Sequence, residues 1–269
     1  GTNNAYAVKT SQLCAKIYND QAVYENSALY QALSLMDKLE LDFRANFSQE
    51  SKRLLRVTII DLVLATDMSK HFDIVTLVKS KMGSPVAKAV HRPNSNHVES
   101  VDNGTTSARE AETQSGKNAG IDLSHLSSEQ NILLLQFALK VADIGHCMLP
   151  LDQHKFWVTH LETEFFNQGD LERNEGLPIS PLMDRTKPGP TNGSNQAGFF
   201  EVIVMPTISL WENLLPGSAD QLHEQTLSNL IFWRTCTHLE QQSTADIRTD
   251  ICLSVDTVEA SSPSEMSAT

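Results

Sequence analysis

The residue in this sequence that most demands a partner is Asp143, which closes the run Ile132-Leu-Leu-Leu-Gln-Phe-Ala-Leu-Lys-Val-Ala-Asp143. A carboxylate at the end of so apolar a helix must be paired, hydrogen-bonded or bound to a cation if it is buried. The commoner arrangement is a salt bridge to Lys or Arg, or a helix end that faces water. His146 follows at i+3 and can share that face, which would aim a carboxylate and an imidazole at one centre. Two residues do not make a metal site. Gln196 and Phe199 form a second pair at i and i+3, just after the Pro/Gly-rich stretch 186–194. An amide can read a base edge while a ring stacks on its face, which suits a purine, although ordinary capping and core packing use the same pair more often. Glu162 and Glu164 lie two apart and point in different directions on a helix. Together with Asp170 and Glu172 they read as a solvated face with local ion pairs.

Other chemistries find no motif. There is no Walker-type glycine-rich loop, no G-x-S-x-G elbow and no H-E-x-x-H. The four cysteines, Cys14, Cys147, Cys236 and Cys252, stand far apart, so neither a zinc knuckle nor a disulfide framework is indicated, and a reducing, intracellular setting is the default. With 21 basic against 33 acidic residues the chain carries a net charge of −12, which repels phosphate backbones and argues against a nucleic-acid partner. A small anionic substrate would then need a local positive centre such as a metal. No apolar stretch is long enough to span a membrane.

The elements that must position these residues are helices. Apolar residues recur at helical spacing and no sustained alternation marks a strand, so the fold class is all-α, with 40% hydrophobic residues to fill a core. The periodicity predicts helices over 8–17, 21–39, 48–82, 127–145, 153–168, 195–213 and 219–242, the third with a break at Thr66-Asp67-Met68-Ser69. Residues 83–123 turn to Ser, Asn, Thr, Gly and Glu with few large apolar groups, and read as a loosely held loop insertion. The organisation is therefore one domain over 1–242 and a polar tail over 243–269, expected to be largely disordered.

Several segments, in order, resemble the class I 3′,5′-cyclic-nucleotide phosphodiesterases. They are Gly1-Thr-Asn-Asn4, Tyr18-Asn-Asp20 with Glu25-Asn26, Leu64-Ala-Thr-Asp-Met-Ser-Lys-His71 and Lys140-Val-Ala-Asp-Ile-Gly145. Glu164-Phe-Phe-Asn-Gln-Gly-Asp170, Ile179-Ser-Pro-Leu-Met-Asp-Arg185, Asn195-Gln-Ala-Gly-Phe199 and Ile203-Val-Met-Pro206 complete the set. The resemblance implies a compact multi-helix bundle that hydrolyses cyclic AMP, cyclic GMP or both to 5′-nucleoside monophosphates at a two-metal centre, usually zinc plus magnesium or manganese. By position it makes Asp143 a metal ligand, Gln196 the reader of the purine edge and Phe199 the ring stacked on it. Leu161 becomes the opposite jaw of that clamp, Met68 and Leu182 become pocket lining, and Glu25 becomes the carboxylate that orients the general-acid histidine.

Three departures accompany the resemblance. The family's His-Asp-x-x-His and His-Asn-x-x-His elements, which supply the other metal ligands and the proton donor, are expected upstream of Gly1 and do not occur in this chain. Glu25-Asn26-Ser27-Ala28 stands where Glu-Asn-His-His is usual, and His146 stands where Asn is usual, which alters the substrate contacts there. The chain thus reads as the C-terminal portion of such a domain, inactive on its own, in a parent protein with room for regulatory domains. The competing reading is a catalytically dead relative that keeps a nucleotide-binding or interaction role.

Overall fold

A computed structural model describes residues 1–38, 40–82 and 120–259, with side chains as far as 239. Among the described residues every regular element is helical. The chain opens with α1 (Asn4–Lys9) and α2 (Leu13–Ile17), where the sequence predicts one helix. They separate at Ser11, whose φ of 52° is left-handed and cannot continue a right-handed helix. Next come α3 (Val23–Met36) and α4 (Gln49–Ala65), the latter capped by the Ser48 hydroxyl, which accepts from the Ser51 N–H at 3.1 Å.

The predicted break follows α4. Asp67 accepts from the Ser69 N–H at 2.9 Å and starts a 3₁₀ turn over Met68–Lys70, from which α5 (His71–Met82) continues. Residues 83–119, most of the predicted loop insertion, lie outside the described residues. α6 (Ser128–Asp143) begins with a reciprocal capping box between Ser127 and Gln130, at 3.2 and 3.0 Å. A 3₁₀ turn over Gly145–Met148 leads into α7 (Leu151–Asn174), longer at its end than its apolar spacing indicates. α8 (Gly193–Phe199) passes through a π-helical turn (Phe200–Val204) into α9 (Met205–Leu214). α10 starts at Asp220 and stays helical to Glu259, beyond Gln242 where the tail is predicted to begin. No Gly or Pro occurs between those two positions to stop it.

The main core is shared by α5, α6, α7, the π-turn, α9 and α10. Phe137, Val78, Val158, Phe200, Val204 and Ile208 are fully enclosed within it. A separate small cluster, Ala7, Ala15 and Val23, holds α1, α2 and α3 together. Polar contacts join that cluster to α7. Gln168 Oε1 accepts from the Asn3 N–H at 2.8 Å, and the Tyr6 hydroxyl donates to Glu175 at 2.6 Å, pushing the Tyr6 pKa up to about 12.

Glu172 corrects the expectation of a solvated acidic face, because it is fully buried. Its carboxylate accepts from the Ser180 N–H at 2.6 Å, the Ser180 hydroxyl at 2.7 Å and Gln168 Nε2 at 3.2 Å. Lys9 Nζ adds an ion pair at 3.4 Å. These donors outweigh desolvation and hold its pKa below the ordinary value. One turn earlier, Gly169 lies against the Met183 carbonyl so closely that a Cβ there would sit 1.8 Å from its oxygen, so only glycine lets α7 meet that loop.

Candidate functional site

Asp143 is the last residue of α6 and is open to solvent. Among the described residues its carboxylate makes no hydrogen bond and no salt bridge. Surrounding protein still desolvates it enough to raise its pKa, against the opposing pull of Lys140. Lys140, one turn earlier, is fully buried, and among the described residues its Nζ reaches the Met68 sulfur, at 3.9 Å. Desolvation lowers its pKa, while Asp143 and Asp67 act in the other direction. A buried ammonium group thus touches Met68 and lies in the field of Asp143, and the apolar periodicity of α6 conceals it.

Among the described residues His146 makes no contact with Asp143. α6 ends at Asp143, Ile144 caps it, and a 3₁₀ turn begins at Gly145. The His146 ring instead stacks on His154 of α7, with centroids 5.3 Å apart and planes 15° apart. His154 is fully buried. Its Nε2 accepts from the Trp233 indole N–H at 2.8 Å, which puts the ring proton on Nδ1, where it meets the His146 carbonyl at 3.1 Å. Burial, aided by His146, lowers the His154 pKa to about 4, and burial raises the Cys147 thiol to about 12.

Potential ligand atoms of His146, Cys147 and His154 lie within 4.8 Å of one another, and they are the cluster of that kind found among the described residues. Its chemistry does not fit a cation. A metal must lie in the plane of each imidazole that binds it, and two nearly parallel, stacked rings have no such common point. In addition, both nitrogens of His154 are engaged and the thiol is protonated. Asp143 is an anionic group without a hydrogen-bond or ion-pair partner among the described residues. The described residues therefore do not by themselves assemble a two-metal centre.

Gln196 and Phe199 lie on α8, whose start is capped by the Asn192 side chain accepting from the Asn195 N–H at 3.2 Å. Gln196 is 5% exposed, and its Nε2 donates to the Pro190 carbonyl at 2.8 Å. Its Oε1 is buried without a hydrogen-bond partner. Phe199 is partly buried and packs against the main core with one flank. Leu161 is half-buried on α7. Leu182, with φ 65°, is exposed and lines an open recess with Pro181, Asp184, Lys187, Pro188 and Asn195, the residue before Gln196.

Glu25 sits in the first turn of α3, where its Oε2 accepts from Asn4 Nδ2 at 2.8 Å. The Asn4 Oδ1 accepts from the Tyr24 N–H at 2.9 Å, so one amide ties the opening Gly1-Thr-Asn-Asn4 segment to the base of α3 and steers the carboxylate. Sequence reasoning missed Lys140, His154 and Glu162. Lys140 is a polar residue within an apolar helical run, a signal that was present but also fits an exposed position, whereas His154 stands among Asp152, Gln153 and Lys155 and gave none.

A family model described as 3′5′-cyclic nucleotide phosphodiesterase matches residues 1–225. The chain is 29% identical over 235 residues to the 3′,5′-cyclic-AMP phosphodiesterase, isoform F, of Drosophila melanogaster, covering 87% of this chain and 31% of that one. It is 30% identical over 222 residues to the 3′,5′-cyclic-AMP phosphodiesterase 4C of Rattus norvegicus, covering 82% and 35% respectively. Its fold is similar to the crystal structure of the phosphodiesterase domain of the Salpingoeca rosetta rhodopsin phosphodiesterase. That match has a TM-score of 0.73 and 21% identity, and covers 91% of this chain and 64% of that one. The chain thus spans about a third of the length of these two curated relatives and somewhat under two thirds of the solved domain. With a family match over most of its length and the all-helical architecture to accompany it, the chain belongs to the 3′5′-cyclic nucleotide phosphodiesterase family.

Proposed function

We propose that this chain supplies the purine-reading part of an enzyme that hydrolyses 3′,5′-cyclic nucleotides to 5′-nucleoside monophosphates, with cyclic AMP as substrate. The observation that carries the proposal is the buried Gln196 Oε1, an acceptor with no partner inside the protein, one helical turn from the Phe199 ring. A buried acceptor left open costs free energy, and a ligand donor would recover it. The cyclic-AMP phosphodiesterases among its relatives support the choice of substrate. In this reading Gln196 accepts from the base, Phe199 and Leu161 close on its two faces, and Met68 and Leu182 line the approach. Glu25, steered by Asn4, orients the proton donor.

Metal dependence is general in this family, and zinc with magnesium or manganese is proposed here. Asp143 would be one ligand, the others coming from residues outside those described. Among the described residues no helix is long and apolar enough to cross a membrane.

The test is made in the full-length protein. Gln196→Ala should lower kcat/KM for cyclic AMP by about 5- to 150-fold, the effect of roughly 1 to 3 kcal/mol of lost polar contact. Asp143→Asn should abolish bound zinc while circular dichroism stays unchanged. Normal hydrolysis by Gln196→Ala would remove the base-reading role, and equal zinc in wild type and Asp143→Asn would remove the carboxylate from the metal centre.

A further inference from the structure

We propose that Glu162 is the positioning residue for Gln196: its carboxylate pins the 188–192 loop so that the Pro190 carbonyl locks the Gln196 amide with its oxygen toward the base. The proposal rests on the base-reading role of Gln196 and adds how its orientation is set.

The loop is held from two sides. On α7, Glu162 Oε1 accepts from both the Thr191 N–H, at 2.9 Å, and the Thr191 hydroxyl, at 2.5 Å. Buried Gly189 seats the loop on the same helix, since a Cβ there would lie 2.5 Å from Phe166 Cζ and 2.7 Å from Glu162 Oε1. On α8, Asn195 Nδ2 donates to the Gly189 carbonyl at 2.9 Å and the Pro188 carbonyl at 3.3 Å. Gln196 Nε2 then takes the next carbonyl, Pro190, at 2.8 Å. Three successive loop carbonyls thus face two side-chain amides, while a carboxylate holds the loop from behind.

That arrangement decides which way the amide points. A carbonyl only accepts, so only the NH₂ end of Gln196 can face Pro190. Flipping the amide would set oxygen against oxygen in a site from which water is excluded. Oε1 is therefore the end of the amide turned away from Pro190, and it is the buried atom left without a partner. An acceptor calls for a donor on the base. The 6-amino group of adenine meets that need, whereas a 6-oxo group placed there would oppose it. Glu162 touches neither substrate nor reacting atoms and acts through Thr191 and Pro190.

Two measurements test this. In the present chain, labelled with ¹⁵N-glutamine, the Gln196 side-chain amide is identified by its loss in Gln196→Leu, and its hydrogen exchange is followed. Glu162→Ala should speed that exchange by about tenfold, the loss expected of one hydrogen bond, and Glu162→Gln, which keeps an acceptor oxygen, should restore it. Thr191→Val, which removes only the hydroxyl, serves if Glu162→Ala does not fold. In the full-length protein, Glu162→Ala should raise KM for cyclic AMP by about tenfold with kcat within about twofold, and should narrow the preference for cyclic AMP over cyclic GMP. Unchanged Gln196 exchange in folded Glu162→Ala overturns the clamp. If exchange responds but the wild-type full-length protein hydrolyses neither cyclic nucleotide, the clamp stands and the phosphodiesterase reading of this protein falls.

Discussion

Gln196, Asp143 and His154 show how little a residue's type says about its duty until its neighbours are known. The i, i+3 spacing of Gln196 and Phe199 is legible in the sequence. That Pro190 fixes one end of the amide and leaves the other open is not, because it depends on a turn conformation between α7 and α8. Asp143 stands out in the sequence because it follows so many apolar residues, yet its surroundings are solvent and the buried Lys140. His154 gave no signal of its own, and its behaviour follows from burial beside His146, Cys147, Phe200 and Trp233. The fold holds it neutral with a pKa of about 4, whereas an unfolded chain would protonate it near 6.5. A depressed histidine pKa leaves stability intact above about pH 6.5 and erodes it as pH falls toward 4, because the unfolded state then binds the proton first. The full shift corresponds to roughly 3 kcal/mol. Melting temperature should therefore fall between pH 7 and pH 5, and His154→Gln, though less stable at pH 7, should show a flatter profile. A wild-type melting curve insensitive to pH over that interval would mean that His154 is not held neutral.

At the scale of elements, the chain's punctuation was readable where side chains cap backbone and hidden where packing decides. Asp67 and Ser127 announce their helix starts by type, since Asp and Ser accept from early N–H groups at little cost. The end of α7 is different. Its last turns carry Gln168, Asp170, Glu172 and Arg173, which by composition suit a surface, and only the approach of Ser180 and Lys9 converts Glu172 into an interior acceptor. Removing it leaves several buried donors unmatched. Glu172→Ala should destabilise the protein by about 3 kcal/mol in denaturant titration, far more than an exposed glutamate, for which about 0.5 kcal/mol is typical. A loss below about 1 kcal/mol would show that the donors find other partners. The π-turn at Phe200–Val204 was equally invisible, because the apolar run continues through it without a break or a capping residue. It lets α8 present Gln196 while α9 sends Ile208 into the core.

For the molecule as a whole, the all-helical class was legible from periodicity, the break after α4 from its capping residues, and the ordered motifs indicated the family. What periodicity could not convey is that the apolar residues divide into unequal groups. The large one runs from Ala65 at the end of α4 through α10, and the small one is limited to Ala7, Ala15 and Val23 with partly buried neighbours. So little buried area adds modest stabilisation, at about 25 cal/mol per Å², and α1 is held to α7 largely by Asn3, Tyr6 and Lys9. The first three helices should therefore behave as a separate cooperative unit on the free-energy ladder of partial openings. Their backbone amides should exchange with deuterium at a lower opening free energy than those of α6 and α9, and acidification that neutralises Glu172 should widen the gap. Glu25 belongs to that looser unit and Asp143 to the firm one, so the proton-relay side of the proposed centre would fluctuate against a fixed metal side.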